Sequence, residues 1–393
     1  MINKKILFFL INMNLGGTEK SFLNLLNALP LDVEVDLLLL ENEGQLLKQL
    51  PACVNLRIIE ESESVNFLIQ NSLLAYALFC FKKLDFMQMF RSIYFYIKSK
   101  FSSSSDYKFE TIQKKLSLKP KIYDVAIAYA GPHQFISTYI AKKTHAKKKI
   151  QWIHFDIEKV INNFTFGKVL YPSYDQVFCV SKSSKEIFLK YFPQLKNKTA
   201  VFHNIVSKTE LHKQAESGES FNDEFDGFRI LTVGRFTQEK GQQLIPVVAE
   251  KLRKNRVNFR WYFVGEGKHK ETVEKIAAEL GISSNLVFLG AKQNPYPYMR
   301  DCDIYVQPSL HEGYGITVAE AQVFNKPIIL TNFSSAKDLV QQNVTGIITD
   351  ISSDGIYSAL MKLIMDPALL KRISTKTEHS IEKQEDDQIN LII

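Results

Sequence analysis

At 393 residues, 45% hydrophobic and 23% charged, the chain is too long for one ordinary core, fits two or three globular domains, and is neither disordered nor fibrous. Its four cysteines (Cys53, Cys80, Cys179, Cys302) are scattered with no Cys-x-x-Cys pair, which argues against a disulfide framework or structural zinc site and for a reducing compartment. The formal charge of +7 is uneven: residues 1–208 hold 28 Lys+Arg against 17 Asp+Glu (+11), and residues 209–393 hold 21 against 25 (−4), so the first part is suited to a negative partner.

The chain opens on a short apolar run, Ile6 to Ile11, that breaks at Asn12 and Asn14 and enters a Gly-Gly turn. Lys5–Ile11 reads as a first buried strand, not as a signal peptide, which needs a longer apolar segment and a cleavage site. No window of about 20 consecutive apolar residues follows, so a cytoplasmic chain without a membrane-spanning helix is expected. Further strands are expected at Val33–Leu40, Val54–Ile59, Asp124–Ala130, Lys149–His154 and Gln176–Ser181, with long helical material at Ser64–Lys100. The polar, Gly/Ser/Asp-rich stretch 209–227 reads as a linker between an amino-terminal domain, 1–208, and a carboxyl-terminal one, 228–385. The last helix is expected to return to the first domain, and 386–393 reads as a tail.

Beyond the linker the alternation resumes. Strands are expected at Phe228–Gly234, Phe259–Gly265, Leu286–Gly290, Asp303–Pro308 and Lys326–Thr331. Helices are expected at Gln238–Lys254, Lys268–Leu280, Ile316–Phe324, Ser334–Gln341 and within 352–385, with a restart at Asp366-Pro367. Short Val/Ile/Leu/Phe runs between amphipathic segments imply an α/β chain of two doubly wound, Rossmann-like domains, which would place a ligand in a cleft beyond the strands' carboxyl ends.

Two constellations carry chemistry. In Pro308-Ser-Leu-His-Glu-Gly-Tyr-Gly-Ile-Thr-Val-Ala-Glu320 a buried strand runs through a glycine loop into a helix. The exposed N–H groups of such a helix start suit a phosphate. Glu312 and Glu320 can then face one elongated ligand, although a capping Glu312 and a solvated Glu320 explain the pattern equally well. In Gly234-Arg-Phe-Thr-Gln-Glu-Lys-Gly241, Arg235 offers a planar fork and Lys240 a point charge, a pair matched to a diphosphate. Alone that pair is weak, since loops of this kind often carry solvated cations; beside the first constellation it is far more specific.

With these motifs, residues 228–350 resemble the carboxyl-terminal domain of glycosyltransferase family 4, retaining enzymes of the two-domain GT-B fold whose lobes face each other across a deep cleft. Gly234-Arg235 with Lys240-Gly241, Val264-Gly-Glu-Gly267, Val287-Phe-Leu-Gly290, Glu312-Gly-Tyr-Gly with Glu320, and Asn343-x-x-Gly346 carry the resemblance. It implies that Arg235 and Lys240, with Gly234 and Gly265 beside them, hold the donor diphosphate. It also implies that Gly315, Ile316 and Thr317 meet the phosphates, Glu320 the ribose and Glu312 the transferred sugar. In the first half, Asn14-Leu-Gly-Gly-Thr-Glu-Lys-Ser21 is similar to the family's first loop, so Gly16 and Gly17 would approach donor phosphates or acceptor. His154, at a strand end, would lie near the donor sugar, though a lone histidine is usually structural. Ser181 and Asn204 read as capping and packing. The chain departs from the family at Asn332-Phe-Ser-Ser-Ala-Lys-Asp338, where relatives have a glycine-rich turn and a Glu.

The implied activity is transfer of a sugar from a nucleotide-sugar donor, UDP-linked by family weighting, to a lipid-linked or glycan acceptor in capsule, lipopolysaccharide or exopolysaccharide assembly. No cofactor and no essential metal are expected. Asp301-Cys-Asp303 imitates a metal-binding Asp-x-Asp but precedes a strand, so it reads as structural. Residues 65–121 hold ten Lys+Arg against three acidic residues, interleaved with aromatics. That composition suits an anionic membrane surface, at about 1 kcal/mol per nearby basic residue, or else a core aromatic stripe with a solvated basic face. The first reading makes the enzyme peripheral to the inner face of the cell membrane. No recognised nucleic-acid module accompanies the basic surface, so a nucleic-acid partner is not expected. The alternatives are a nucleotide-sugar epimerase of the same fold and a catalytically silent partner of another glycosyltransferase.

Overall fold

The computed structural model describes residues 4–59, 67, 71–101, 121–160, 164–375 and 385–393. The chain divides into two units. The first runs to Val180 and includes Lys185–Phe202 and Leu391–Ile393; the second holds Ser181–Ser184 and His203–Asn390.

The first unit is built on seven strands: β1 (Lys5–Leu10), β2 (Glu34–Leu39), β3 (Val54–Ile58), β4 (Ile122–Ala128), β5 (His145–Ile153), β6 (Gln176–Cys179) and β7 (Thr199–Val201). All pair in parallel in the order β3-β2-β1-β4-β5-β6-β7, with Ile6 opposite both Val35 and Val125. Parallel sheets are covered on both faces, and the run Ile-Leu-Phe-Phe-Leu of β1 is buried at every position. Edge-on aromatic packing joins Phe8 to Phe22 and Tyr129, while Trp152 packs on Phe178 and Phe202.

The second unit repeats the plan with β8 (Phe228–Val233), β9 (Phe259–Val264), β10 (Leu286–Phe288), β11 (Ile304–Gln307), β12 (Ile328–Thr331) and β13 (Ile347–Thr349). Its order is β10-β9-β8-β11-β12-β13, the doubly wound arrangement, again wholly parallel. In each sheet the direction of winding reverses once, between β1 and β4 and between β8 and β11. Crevices beyond the carboxyl ends of strands at such a reversal are the standard ligand positions of this architecture.

Several expectations are corrected. The stretch 209–227 is no loose linker: helix Lys208–Glu216 buries Leu211 and Ala215, Arg300 donates to the Ala215 carbonyl at 2.7 Å, and Asp223 binds Arg229, Arg260 and Tyr262. The second unit therefore begins near His203. Instead of one helix over Gln238–Lys254, two single 3₁₀ turns precede helix Ile245–Lys254, because Gly241 takes a left-handed conformation and Pro246 fits a helix start. The helical material expected at 64–100 is, among the described residues, two helices, Leu73–Lys82 and Phe86–Phe101, broken at Leu84 with φ +61°. Edge strands β7 and β13 lack a clear apolar run and were not expected. The restart at Pro367 is present, and the chain's last residues join the first unit, where the Leu391 carbonyl accepts from Lys148 at 2.5 Å.

Candidate functional site

In the first unit, β1 leads through Asn14 to Gly16, an extended cap with no side-chain capping bond, and the exposed Gly17 opens the following helix. That start is not bare. The Glu19 carboxylate folds onto it, so a Cβ on Gly16 would lie 2.1 Å from Oε2. His154 follows β5, its N–H donating to the Gly131 carbonyl at 3.1 Å. The ring packs on Tyr129 and stacks on Trp152, with centroids 4.5 and 5.9 Å away. Only 6% exposed, its Nε2 meets no hydrogen-bond partner among the described residues. Burial lowers its pKa to about 3, against a weaker opposing pull from the Tyr129 backbone, so the imidazole is neutral at neutral pH.

The second unit gathers most of the expected residues at the β8/β11 reversal. After β8 come Gly234 and Arg235, whose side chain is exposed. The turn Gln238–Lys240 closes on Gly241 (φ +68°), and a Cβ there would sit 1.9 Å from the Pro308 carbonyl oxygen. Only glycine permits that crossing, which brings the loop after β8 onto the loop after β11. Leu310 and His311 then donate their backbone N–H groups to the Glu239 carbonyl at 2.7 and 3.3 Å, sewing the two loops together. Gly265, after β9, sits against the Gly234 carbonyl.

Across that seam Lys240 Nζ reaches Glu312 Oε1 at 2.6 Å, with the side chains 19% and 10% exposed. The same oxygen accepts from Ser309 Oγ at 2.7 Å and Gln307 Nε2 at 3.3 Å. Gln307, the last residue of β11 and buried, also donates to Ser309 at 2.9 Å. Its own oxygen accepts from Tyr305 at 2.9 Å and Thr317 at 3.3 Å. One amide thus joins Glu312 to the first turn of helix Ile316–Val323. Gly315, left-handed at φ +93°, caps that helix without a side-chain bond. Its first N–H groups therefore have no capping side chain.

Glu312 is not a cap and Glu320 is not solvated, so the bland reading of both carboxylates is overturned. Glu320 is fully buried within the helix and accepts from the Tyr296 hydroxyl at 3.0 Å. Burial, reinforced by that carboxylate, raises the Tyr296 pKa well above its ordinary value. Burial also raises Glu239, but its own backbone N–H, Thr237, Arg235 and Lys240 outweigh this and hold it below the usual carboxylate range. The two cations thus lie near one carboxylate, Glu239, and Lys240 is also paired with Glu312.

The sequence reading passed over Gln307, Ser309 as a partner, and Glu239. For Gln307 there was a signal: a lone amide ending a strand that otherwise reads Ile-Tyr-Val. Asp301 pairs with Arg300 at 2.7 Å, and Asp303 accepts from the Arg229 backbone at 2.7 Å, both structural contacts. Ser181 caps the helix that follows it, accepting from Ser184 N at 3.0 Å.

Residues 215–380 match the family described as "Glycosyl transferases group 1". The N-acetylgalactosamine-N,N'-diacetylbacillosaminyl-diphospho-undecaprenol 4-alpha-N-acetylgalactosaminyltransferase of Campylobacter jejuni is 20% identical over 377 residues, covering 95% of this chain and 94% of that protein. A lipopolysaccharide core biosynthesis glycosyltransferase of Rhizobium meliloti is 26% identical over 157 residues, 39% of this chain and 45% of that protein. The chain likewise spans about half the length of two uncharacterized glycosyltransferases of Methanocaldococcus jannaschii. Among solved structures, Anabaena HepE in complex with UDP superposes with a TM-score of 0.69 at 16% identity, over 99% of this chain and 98% of that one. This likeness shows the GT-B fold.

Proposed function

We propose that this chain, whose residues 215–380 match the group 1 glycosyl transferases, transfers a sugar, with retention, from a UDP-sugar to a lipid-linked acceptor in bacterial surface-polysaccharide assembly. The observation that carries the donor reading is the Lys240–Glu312 seam at the β8/β11 reversal, beside Arg235 and an uncapped helix start. UDP is favoured because HepE, alike in fold, was solved with UDP. A lipid-linked acceptor is favoured because the Campylobacter relative, matched over 95% of this chain, is named for one.

In this reading Arg235, Lys240 and the N–H groups of Ile316 and Thr317 receive the diphosphate. As the sugar–phosphate bond stretches, negative charge grows on the leaving oxygens and positive charge on the ring. Fixed donors aimed at that growing charge are worth about 3 kcal/mol each. Oε1 of Glu312 already takes three donors, so Oε2 is the oxygen left to accept from a sugar hydroxyl. Buried Glu320 meets the ribose only if the helix start opens toward the nucleotide, and otherwise holds Tyr296. The leaving phosphate takes the acceptor's proton, and no metal is needed, because the chain supplies the cations itself.

The test is UDP release from a panel of UDP-sugars, with and without an undecaprenyl-diphosphate-linked sugar. Release at least tenfold faster with the lipid-linked acceptor supports the reading. Release from no nucleotide sugar, or equal release without acceptor, contradicts it.

A further inference from the structure

The helices Leu73–Lys82 and Phe86–Phe101 each carry apolar residues on the core side and a second, exposed set facing away from it. On the first, Leu73, Tyr76, Ala77 and Cys80 face the core at helical spacing, as an amphipathic helix requires. The opposite stripe should then be polar, yet it carries Leu74, Leu78 and Phe81, which are 44%, 62% and 55% exposed. The second helix, whose Met89, Phe95 and Tyr96 pack on the core beside buried Ser92, does the same with Phe86, Met87, Phe90, Tyr94 and Ile97, exposed by 48% to 79%. At the connecting turn Leu84 is 73% exposed and left-handed, a conformation that disfavours a leucine. Nine large apolar side chains are thus exposed within 24 consecutive positions, 74 to 97. A cluster of that kind is an interaction site or a liability.

Charge selects the occupant. Within 71–101 stand Lys82, Lys83, Arg91, Lys98 and Lys100 against Asp85 alone. A second copy would bring like charges together, whereas an anionic lipid surface supplies both the opposite charge and the apolar interior. Neither helix is long and apolar enough to cross a membrane, and this holds for every helix among the described residues. We infer that this hairpin lies in the plane of an anionic bilayer, sinking the ridge of Leu78, Phe81, Leu84, Met87 and Phe90 below the headgroups while the basic residues stay at headgroup level. The inference rests on the lipid-linked acceptor proposed above and gives it a surface on the chain. Lys108, Lys114, Lys115 and Lys119, also expected at this surface, lie outside the described residues. Insertion differs from purely electrostatic attachment in its response to salt, which screens exposed charges but leaves apolar burial in place.

The experiment is flotation of the full chain with vesicles of phosphatidylcholine alone or with 30% phosphatidylglycerol, at about 0.1 and 0.5 M salt. The expected result is recovery with anionic vesicles only, falling at high salt but not vanishing. Leu78→Ser with Phe81→Ser and Phe90→Ser should remove the salt-resistant fraction, and Lys82→Glu with Lys83→Glu the salt-sensitive one. These exposed substitutions should leave UDP affinity unchanged, which reports an intact fold. No recovery with anionic vesicles, equal recovery with neutral ones, binding indifferent to the serine substitutions, or a dimer in solution that those substitutions dissolve would each overturn the inference. Vesicle binding with no UDP binding would instead overturn the donor reading alone.

Discussion

At the residue scale, Gln307 decides where the Glu312 carboxylate points. It touches no expected ligand position, yet it donates to Glu312 and accepts from Thr317. Gln307→Leu should lower kcat/KM about tenfold, through a lost hydrogen bond and a misplaced carboxylate, and should also cost about 1–3 kcal/mol of stability, because buried Tyr305 loses its acceptor. Gln307→Glu, which keeps the side chain's size but loses its donor, should lower kcat/KM as well, because like charges then face each other where Gln307 Nε2 had donated to Glu312. Rates identical to wild type in both variants would remove Gln307 from the site. His154 gives a separate prediction. Its folded pKa, about 3, lies below the ordinary 6.5, so between those values the unfolded chain binds the extra proton and stability falls as pH drops. Its imidazole NMR resonances should stay flat from pH 8 to 5, and a midpoint near 6.5 would contradict its burial.

At the element scale, the decisive feature is the crossing of two loops. Gly241→Ala would drive a Cβ into the Pro308 carbonyl and strain a left-handed position. The expected cost is about 2 kcal/mol in urea unfolding, with weaker nucleotide binding as the seam opens. Unchanged stability would show that the loops part easily. Much of this level was legible beforehand. Buried parallel strands write themselves as continuous apolar runs, so β1, β8 and β11 were expected within a residue or two of their ends. The rest was hidden for physical reasons. The edge strands β7 and β13 lack a clear apolar run, Gly241 splits a run that reads as one helix, and which atom of Glu312 meets Lys240 depends on a crossing no local pattern encodes.

At the scale of the whole molecule, each unit holds a carboxylate bound by a tyrosine and basic residues. Asp36 accepts from Tyr123 at 2.7 Å, Lys121 at 2.9 Å and Asn55 at 2.9 Å; Asp223 serves Tyr262, Arg229 and Arg260. Burial raises both pKa values, but the hydrogen bonds, Lys121 and Tyr123 first for Asp36 and Tyr262 first for Asp223, win and hold them below the ordinary range. Their contribution is therefore complete above about pH 4 and lost as pH falls through the depressed folded values. Asp36→Asn should cost about 2 kcal/mol at pH 7 and flatten the acid limb of stability against pH. An unchanged acid limb would show that the network adds nothing.

The account rests on the proposal that Arg235 and Lys240, at the seam between the two loops, receive a nucleoside diphosphate. Its most direct test is calorimetric titration of UDP into the full chain, beside Arg235→Ala and Lys240→Ala. The account predicts saturable binding that each substitution weakens at least tenfold, about 1.4 kcal/mol. Equal affinity in all three proteins, or no binding by the unaltered chain, would contradict it.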